Sequence, residues 1–474
     1  MAAVSVAEDF LLDLVFGPDA EGATAEERAR ASKRQFVRSQ SQLALMTDRA
    51  KGIPITASAA LELVGFEGLL RVVNSGATVI NSSLDEPSRT IRAQRAELNV
   101  SEQDVARASG LSVAEVVISE ELGTVLPIRK LLRLGQTLGL DDDTLGAVPS
   151  AGADRELAYR LRTMQASKTV QLSASLVLKL SEAAWVISKQ HKLARMLNPN
   201  CRPPGFHAST DYSKPAWKRG WELAEHARNL LDVDPVAPIA SVRALIEGMN
   251  IPLIQAELGQ TFAGATIQNG EDRGIVVNVD GDNNNVWVRR ATLCHELGHL
   301  LWDPAERLQR LHVDRYEDLR TEAATAIEAR ANAFSIAFLA PPQAVIEIVR
   351  NEQSPKNQVA RLMEEFGLAA TAAKFHLANV AREWGSEIDT TNVRADLLPS
   401  PDDEWMANEN RTIDFFPIKD VPMNRAGRFA GLVAAAARRK CISLDYAATC
   451  LGVDRADLEG KLDLVIELTA ADLS

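Results

Sequence analysis

The sequence predicts a mainly helical chain that carries one compact α+β segment, with a helical domain in front of it and a helical region behind. Most stretches between turn-rich punctuation space their apolar residues at helical period. Residues 251 to 280 instead break into short apolar runs, "IPLIQAEL", "FAGATI" and "GIVVNVD", separated by turn-rich stretches such as "QNGEDR". They are the only convincing sheet signal. At 291 to 304, "ATLCHELGHLLWDP" sets two histidines four apart among apolar helix formers.

A chain of 474 residues with 46% of them hydrophobic has material for two or three cores. Polar, Pro-containing stretches near 82 to 90, 146 to 154, 198 to 215, 350 to 357 and 396 to 404 mark the breaks. They suggest an N-terminal helical region without an assigned role (1–85), a small helical domain (86–148), a helical linker (149–204), a domain holding the histidine pair (205–385) and a C-terminal helical region (386–474). The opening twenty residues lack a basic start, Asp9 and Asp13 interrupt their apolar run, and no later run reaches membrane-spanning length. A cytoplasmic protein with no membrane partner is the expectation. Cys201, Cys294, Cys441 and Cys450 have no C-x-x-C spacing and read as reduced thiols. The net charge of -12 disfavours nonspecific attraction to nucleic acid, so any DNA contact must come from a local patch.

Taken in order, residues 1 to 85 read as helical with a Gly and Ser break. Residues 89 to 146 parse as five short helices, with Ser101 capping the second and Gly110 turning into a third that begins near Ser112. This segment resembles the lambda-repressor-like helix-turn-helix of the XRE family. The resemblance implies that the helix from Ser112 to Glu120 lies in a major groove, with Ser112, Arg107 and Arg92 as DNA-binding candidates. The chemistry of that helix fits poorly: "SVAEVVISEE" has no Arg, Lys, Asn or Gln to read base edges, and Glu115, Glu120 and Glu121 would face phosphates. DNA binding is therefore expected to be weak or lost, with a docking role toward a partner in its place. Residues 153 to 196 look like amphipathic helices joining domains, with Trp185 a packing residue and His191 a surface one. Residues 425 to 462 repeat the rhythm of helix, Gly-containing turn and helix, and Arg438, Arg439 and Lys440 read as a solvated helix end.

On a helix, residues four apart share a face, so His295 and His299 can aim two imidazole nitrogens at one tetrahedral ion. Glu296 can then reach a water beside that ion and act as general base toward a peptide carbonyl. Gly298 allows close packing, and Leu293, Leu297, Leu300 and Leu301 give the helix its apolar underside. Two satisfied core histidines are the bland alternative. A catalytic ion needs a third protein ligand, and Glu328 in "TAIEARANAFSIAFLAPP" offers one, with Asn332 four residues on as support for a ligating histidine. Glu322 competes for the same role, and His312 less so. Zinc suits His, His and Glu ligation better than manganese or iron does.

The strand "GIVVNVD" is placed to pair with an extended substrate, and Asn278 on it either contacts that substrate or orients the strand. Arg289 and Arg290 are read as anchors of the helix start rather than carboxylate holders, and Cys294 as core. Tyr316, His312 and His207 are candidates for stabilising an oxyanion.

"RRATLCHELGHLLWDP", the preceding "GIVVNVD" and the following "EARANAFSIAFLAPP" together resemble the ImmA/IrrE family of metallopeptidases, over roughly residues 215 to 380. That likeness continues into "VARLMEEFGLAATAAKFHLANV", similar to a small helical segment behind the peptidase core. It implies an α+β zincin-like metallopeptidase core in which His295, His299 and Glu328 hold zinc and Glu296 is the catalytic base. Thr292, Leu293 and Cys294 stand where the family has an aromatic and a small residue, and the stretch from His299 to Glu328 is unusually charged. The expected activity is cleavage or inactivation of a DNA-binding repressor, or another regulatory protein encoded nearby, in a stress, phage or mobile-element response. A non-proteolytic regulator or antitoxin-like protein using the domain as a partner scaffold is the alternative, and a homodimer is compatible with either.

Overall fold

The computed structural model describes residues 6–39, 42–45, 53–79, 85–124, 126–142, 145–146, 152–165, 172–198, 201, 213–269, 272–304, 308, 311–317, 325–410, 418–419 and 421–469. Among these residues the chain is mainly helical with two small sheets, an α-dominant architecture around a zincin-like core. It divides into two compact units, one from residues 1–199 with 417–425 and 429–468, the other from 200–416 with 426–428 and 469–474.

The first unit corrects the reading of residues 1 to 85 as helical. Strands β1 (Gln35–Ser39), β2 (Gln42–Leu45), β3 (Ile53–Thr56) and β4 (Ala77–Val79) form an antiparallel sheet in the order β3-β1-β2-β4. Strands of three to five residues are too short to display a period of two, so the sheet at 251 to 280 is not alone. Residues 89 to 146, expected to hold five short helices, form helices Ser88–Leu98, Glu102–Ser109, Val113–Ser119 and Ile128–Thr137, four among the described residues. Their punctuation follows the sequence. Ser101 and Ser112 each form a capping box, with Asp104 and Glu115 three residues on, and Gly110 takes the left-handed conformation between them.

The acidic residues of this segment serve the fold. Glu120 is buried and accepts from Arg95 Nε at 2.5 Å and Nη2 at 2.9 Å, while Arg92 donates to the Glu120 carbonyl. Glu115 binds the Ser112 cap and Lys130, and the Lys130 ammonium holds its carboxyl down at about 2. The helix Ala174–Leu197 buries Trp185 and also His191, which corrects the surface placement of that histidine. It is a core element of this unit rather than a linker. The C-terminal helices Arg428–Arg438 and Leu444–Leu451 contribute most of their length to the same unit. Arg425 is fully buried there and donates to Gln136 Oε1 at 2.9 Å and Cys450 O at 2.8 Å.

The second unit holds the mixed sheet β5 (Leu253–Ala256), β6 (Phe262–Asn269), β7 (Asp272–Asn278) and β8 (Leu311–Arg315), in the order β5-β7-β6-β8. β5 runs parallel to β7, and the other pairs are antiparallel. β8 was not foreseen in the sequence; it is an edge strand, and its register against β6 slips between Phe262 and Gly264. The histidine helix, Val286–Trp302, packs on this sheet. Asn285 caps it, accepting from Trp287 N at 2.9 Å. Leu293, Leu297, Leu300 and Leu301 are buried with Ile275 and Val277 in one core. Across that helix lies a second, Ala326–Leu339, capped by Thr325. Gly298 lets the two approach: a Cβ there would stand 2.8 Å from Phe334 Cδ1.

Arg290 is fully buried as an anchor. It pairs with Glu409, donates to Ile239 O at 2.6 Å and stacks on Trp405 with its guanidinium 4.4 Å from the ring centre. Arg289 is buried too, and Cys294 is a core thiol that burial pushes far up.

Candidate metal centre

Position on the histidine helix dictates what each side chain can reach. His295 and His299, one turn apart, bring their Nε2 atoms to 3.0 Å of each other, with ring centres 4.6 Å apart. Glu328 stands in the first turn of the neighbouring helix, where unpaired N–H groups favour a carboxylate. Its Oε2 lies 3.4 Å from each of those Nε2 atoms. Glu322 and His207 fall outside the described residues.

The structure adds a residue that sequence reasoning missed. Asp314 on β8 directs Oδ2 to within 3.6 Å of His295 Nε2, so ligand atoms of His295, His299, Asp314 and Glu328 all lie within 4.8 Å of one another. His312, two residues earlier on the same strand face, sits 3.1 Å from Asp314 Oδ1 and 3.8 Å from Glu328 Oε1. The alternation in "LHVDR" was the available signal, but its strand character was not recognised.

The donor set suits a divalent cation. Glu328 Oε2 and Asp314 Oδ2 are buried and accept no hydrogen bond, although both face the imidazole pair. Buried carboxylate oxygens without donors are costly unless a cation meets them. The protonation pattern points the same way. Burial alone would lower the His295 pKa, but Asp314, Glu328 and Glu296 outweigh it and carry it up to about 10. Burial likewise opposes ionisation of Glu328 and Asp314, and the facing histidines overcome it, holding both carboxyls below their ordinary range.

Glu296 is fully buried, with Oε2 accepting from Thr266 Oγ1 at 2.7 Å and Oε1 without a partner. Gly264 on β6 makes room for it: a Cβ there would come within 2.7 Å of Oε1. Burial, and then the charge of Asp314, push the Glu296 carboxyl well above its usual value.

Support for a ligating imidazole was expected from Asn332. At His299 it comes from Asp303, whose Oδ2 lies 2.8 Å from Nδ1 and whose Oδ1 is paired with buried Arg330. Asp303 follows His299 by one turn, a spacing readable in the sequence. Asn332 is half-buried one turn beyond Glu328.

Asn278 does not offer itself to substrate. It is wholly buried, accepts from Leu258 N at 2.8 Å and Asp280 N at 3.0 Å, and donates to the carbonyls of Gly259 at 2.6 Å and Phe262 at 2.7 Å. Its capacity is spent on shaping the loop between β5 and β6. Tyr316 is similarly committed: its hydroxyl donates to Asp280 O at 2.7 Å and accepts from Asn283 N at 3.2 Å, which leaves His312 as the described oxyanion candidate beside the cluster.

The DNA-binding candidates are scattered in role. The Ser112 hydroxyl caps its own helix, Arg92 is tied to the Glu120 carbonyl, and Arg107 is exposed beside Asp104 at 3.6 Å. The helix from Ser112 exposes Val113, Val117 and Ile118 instead of base-reading groups.

A buried His, His and carboxylate cluster with a glutamate beside it, set on a helix against a mixed sheet, defines a metallopeptidase-like domain. Residues 273–378 match the model of the Peptidase M78 family, described as the IrrE N-terminal-like domain, which supports the ImmA/IrrE resemblance. No curated protein matches the chain. Among the described residues, no single helix is long and apolar enough to cross a membrane.

Proposed function

We propose that the chain is a zinc-dependent endopeptidase that cuts a regulatory protein, with a DNA-binding repressor encoded nearby as the favoured substrate, and that it works in the cytoplasm. The observation that carries the chemistry is the convergence of His295, His299 and Glu328 beside a glutamate that has one carboxylate oxygen anchored and one free. Three donors of this kind suit zinc best. When bound, the ion supplies Lewis acidity at the peptide carbonyl and lowers the pKa of the attacking water. Thr266 fixes Glu296 Oε2, so Oε1 takes the proton of that water and returns it to the departing amine. His312 is our candidate for donating to the developing oxyanion once its Nε2, 3.1 Å from Asp314 Oδ1, is released from that carboxylate.

The substrate assignment rests on the family resemblance. The segment at 89 to 146 then serves recognition of a protein partner, because its third helix exposes Val113, Val117 and Ile118. The test is intact-mass spectrometry of proteins encoded beside the gene after incubation with the zinc-loaded chain and, in parallel, with Glu296→Gln. A single cut made only by the wild type supports the reading. A neighbour that stays bound to both forms and is never cut would favour the scaffold alternative.

A further inference from the structure

We propose that Asp314 is a fourth metal ligand, so that the resting ion is closed off by protein and opens to a peptide only when the β8 edge withdraws that carboxylate. The inference rests on the metallopeptidase reading and concerns what controls it. A catalytic zinc keeps three protein ligands and one open position, whereas four protein ligands are the mark of a closed site. Here four donors converge within 4.8 Å of one another. Asp314 is almost wholly buried, and the oxygen it turns toward His295 Nε2 accepts no hydrogen bond. Its other oxygen is held by His312 Nε2 at 3.1 Å, which fixes the carboxylate's direction.

The strand that carries Asp314 is placed to move. β8 has five residues, pairs with β6 alone among the described strands, and loses regular register where Asp314 stands opposite Gly264. Gly264 is also the residue against which Glu296 Oε1 packs. The closing carboxylate and the general base therefore meet at one irregular point of the ladder, and a shift of the edge there would free the ion and the base together.

The test uses the full chain loaded with one equivalent of Co2+, whose visible spectrum reports coordination, together with a small hydroxamate that needs a vacant position. The wild-type spectrum should be that of a four-coordinate ion and should stay unchanged with millimolar hydroxamate. Asp314→Asn should bind Co2+ at least about tenfold more weakly in competition with a chromophoric chelator and should respond to hydroxamate. A wild-type spectrum that responds to hydroxamate as the variant does, with equal Co2+ affinity, overturns the proposal and leaves the His, His and Glu site standing. Failure of the wild type to bind Co2+ more tightly than His299→Ala overturns the metal reading with it. The wild-type measurement decides the question even if the variant folds poorly.

Discussion

Replacing Asp303 by alanine separates two jobs that one carboxylate performs. Its Oδ2, 2.8 Å from His299 Nδ1, fixes the tautomer and orientation of a ligating ring, and its Oδ1 neutralises Arg330. Loss of such an orienting partner weakens metal binding by roughly 10- to 100-fold, which is about 1.4 to 2.7 kcal/mol. Asp303 and Arg330 have side chains only 5% and 8% exposed, so Asp303→Ala also strands a buried guanidinium. Breaking a buried pair in this way costs roughly 3 to 5 kcal/mol of stability. Chelator competition for zinc measures the first effect, and urea unfolding of the metal-free protein measures the second. The double variant Asp303→Ala/Arg330→Met removes the stranded charge, so stability should largely return while zinc affinity stays low. Zinc affinity that returns with stability would refute the claim that Asp303 orients His299, because the single variant's loss would then be a folding defect.

Three further outcomes follow from the same geometry. Gly264→Ala drives a Cβ to 2.7 Å from Glu296 Oε1, so it should abolish cleavage while changing zinc affinity less than threefold, as read by the same competition assay. Because the metal-free His295 holds its proton up to about pH 10, zinc binding at pH 7.5 should release about one proton from this ring, and apparent affinity should rise about tenfold per pH unit below that value. Calorimetry in two buffers of different ionisation enthalpy reads that proton. His376 is buried, donates from Nε2 to Ala340 O at 2.8 Å, and has its pKa lowered by burial from 6.5 to about 4. The unfolded chain therefore binds a proton first as pH falls. Stability should be full above pH 6.5, lower by about 2 kcal/mol at pH 5, and level below pH 4, and His376→Gln should flatten that slope in urea melts.

The parts of the site that lie on one helix were legible in the sequence, because a turn of helix fixes which residues share a face. His295, Glu296 and His299 needed nothing beyond spacing, and Glu328 followed from the demand for a third ligand. Asp303 obeys the same i,i+4 rule, but it stands at the C-cap of the histidine helix, where spacing alone does not tell an orienting partner from a helix-end residue. Asp314 was hidden for a different reason. It reaches the centre through pairing of β8 with β6, and a five-residue edge strand has too little period to be seen before its partner is known. The N-terminal sheet was invisible on the same grounds. Caps and turns, by contrast, are local chemistry, and Ser101, Gly110 and Ser112 were placed correctly from sequence. Burial was least legible where polar residues are involved: Asn278 and Glu120 look exposed in the sequence and are interior groups with their hydrogen bonds met by backbone or arginine.

The central claim is that Glu296 cuts peptide bonds at an ion held by His295, His299 and Glu328. Its most direct test is cleavage of a diverse peptide library, followed by mass spectrometry, using protein stripped by chelator and then restored with one equivalent of zinc. Cleavage that vanishes with the metal, returns with it, and is absent from Glu296→Gln carrying the same zinc is the predicted result. Cleavage by Glu296→Gln at the wild-type rate, or by the stripped protein, would contradict the account.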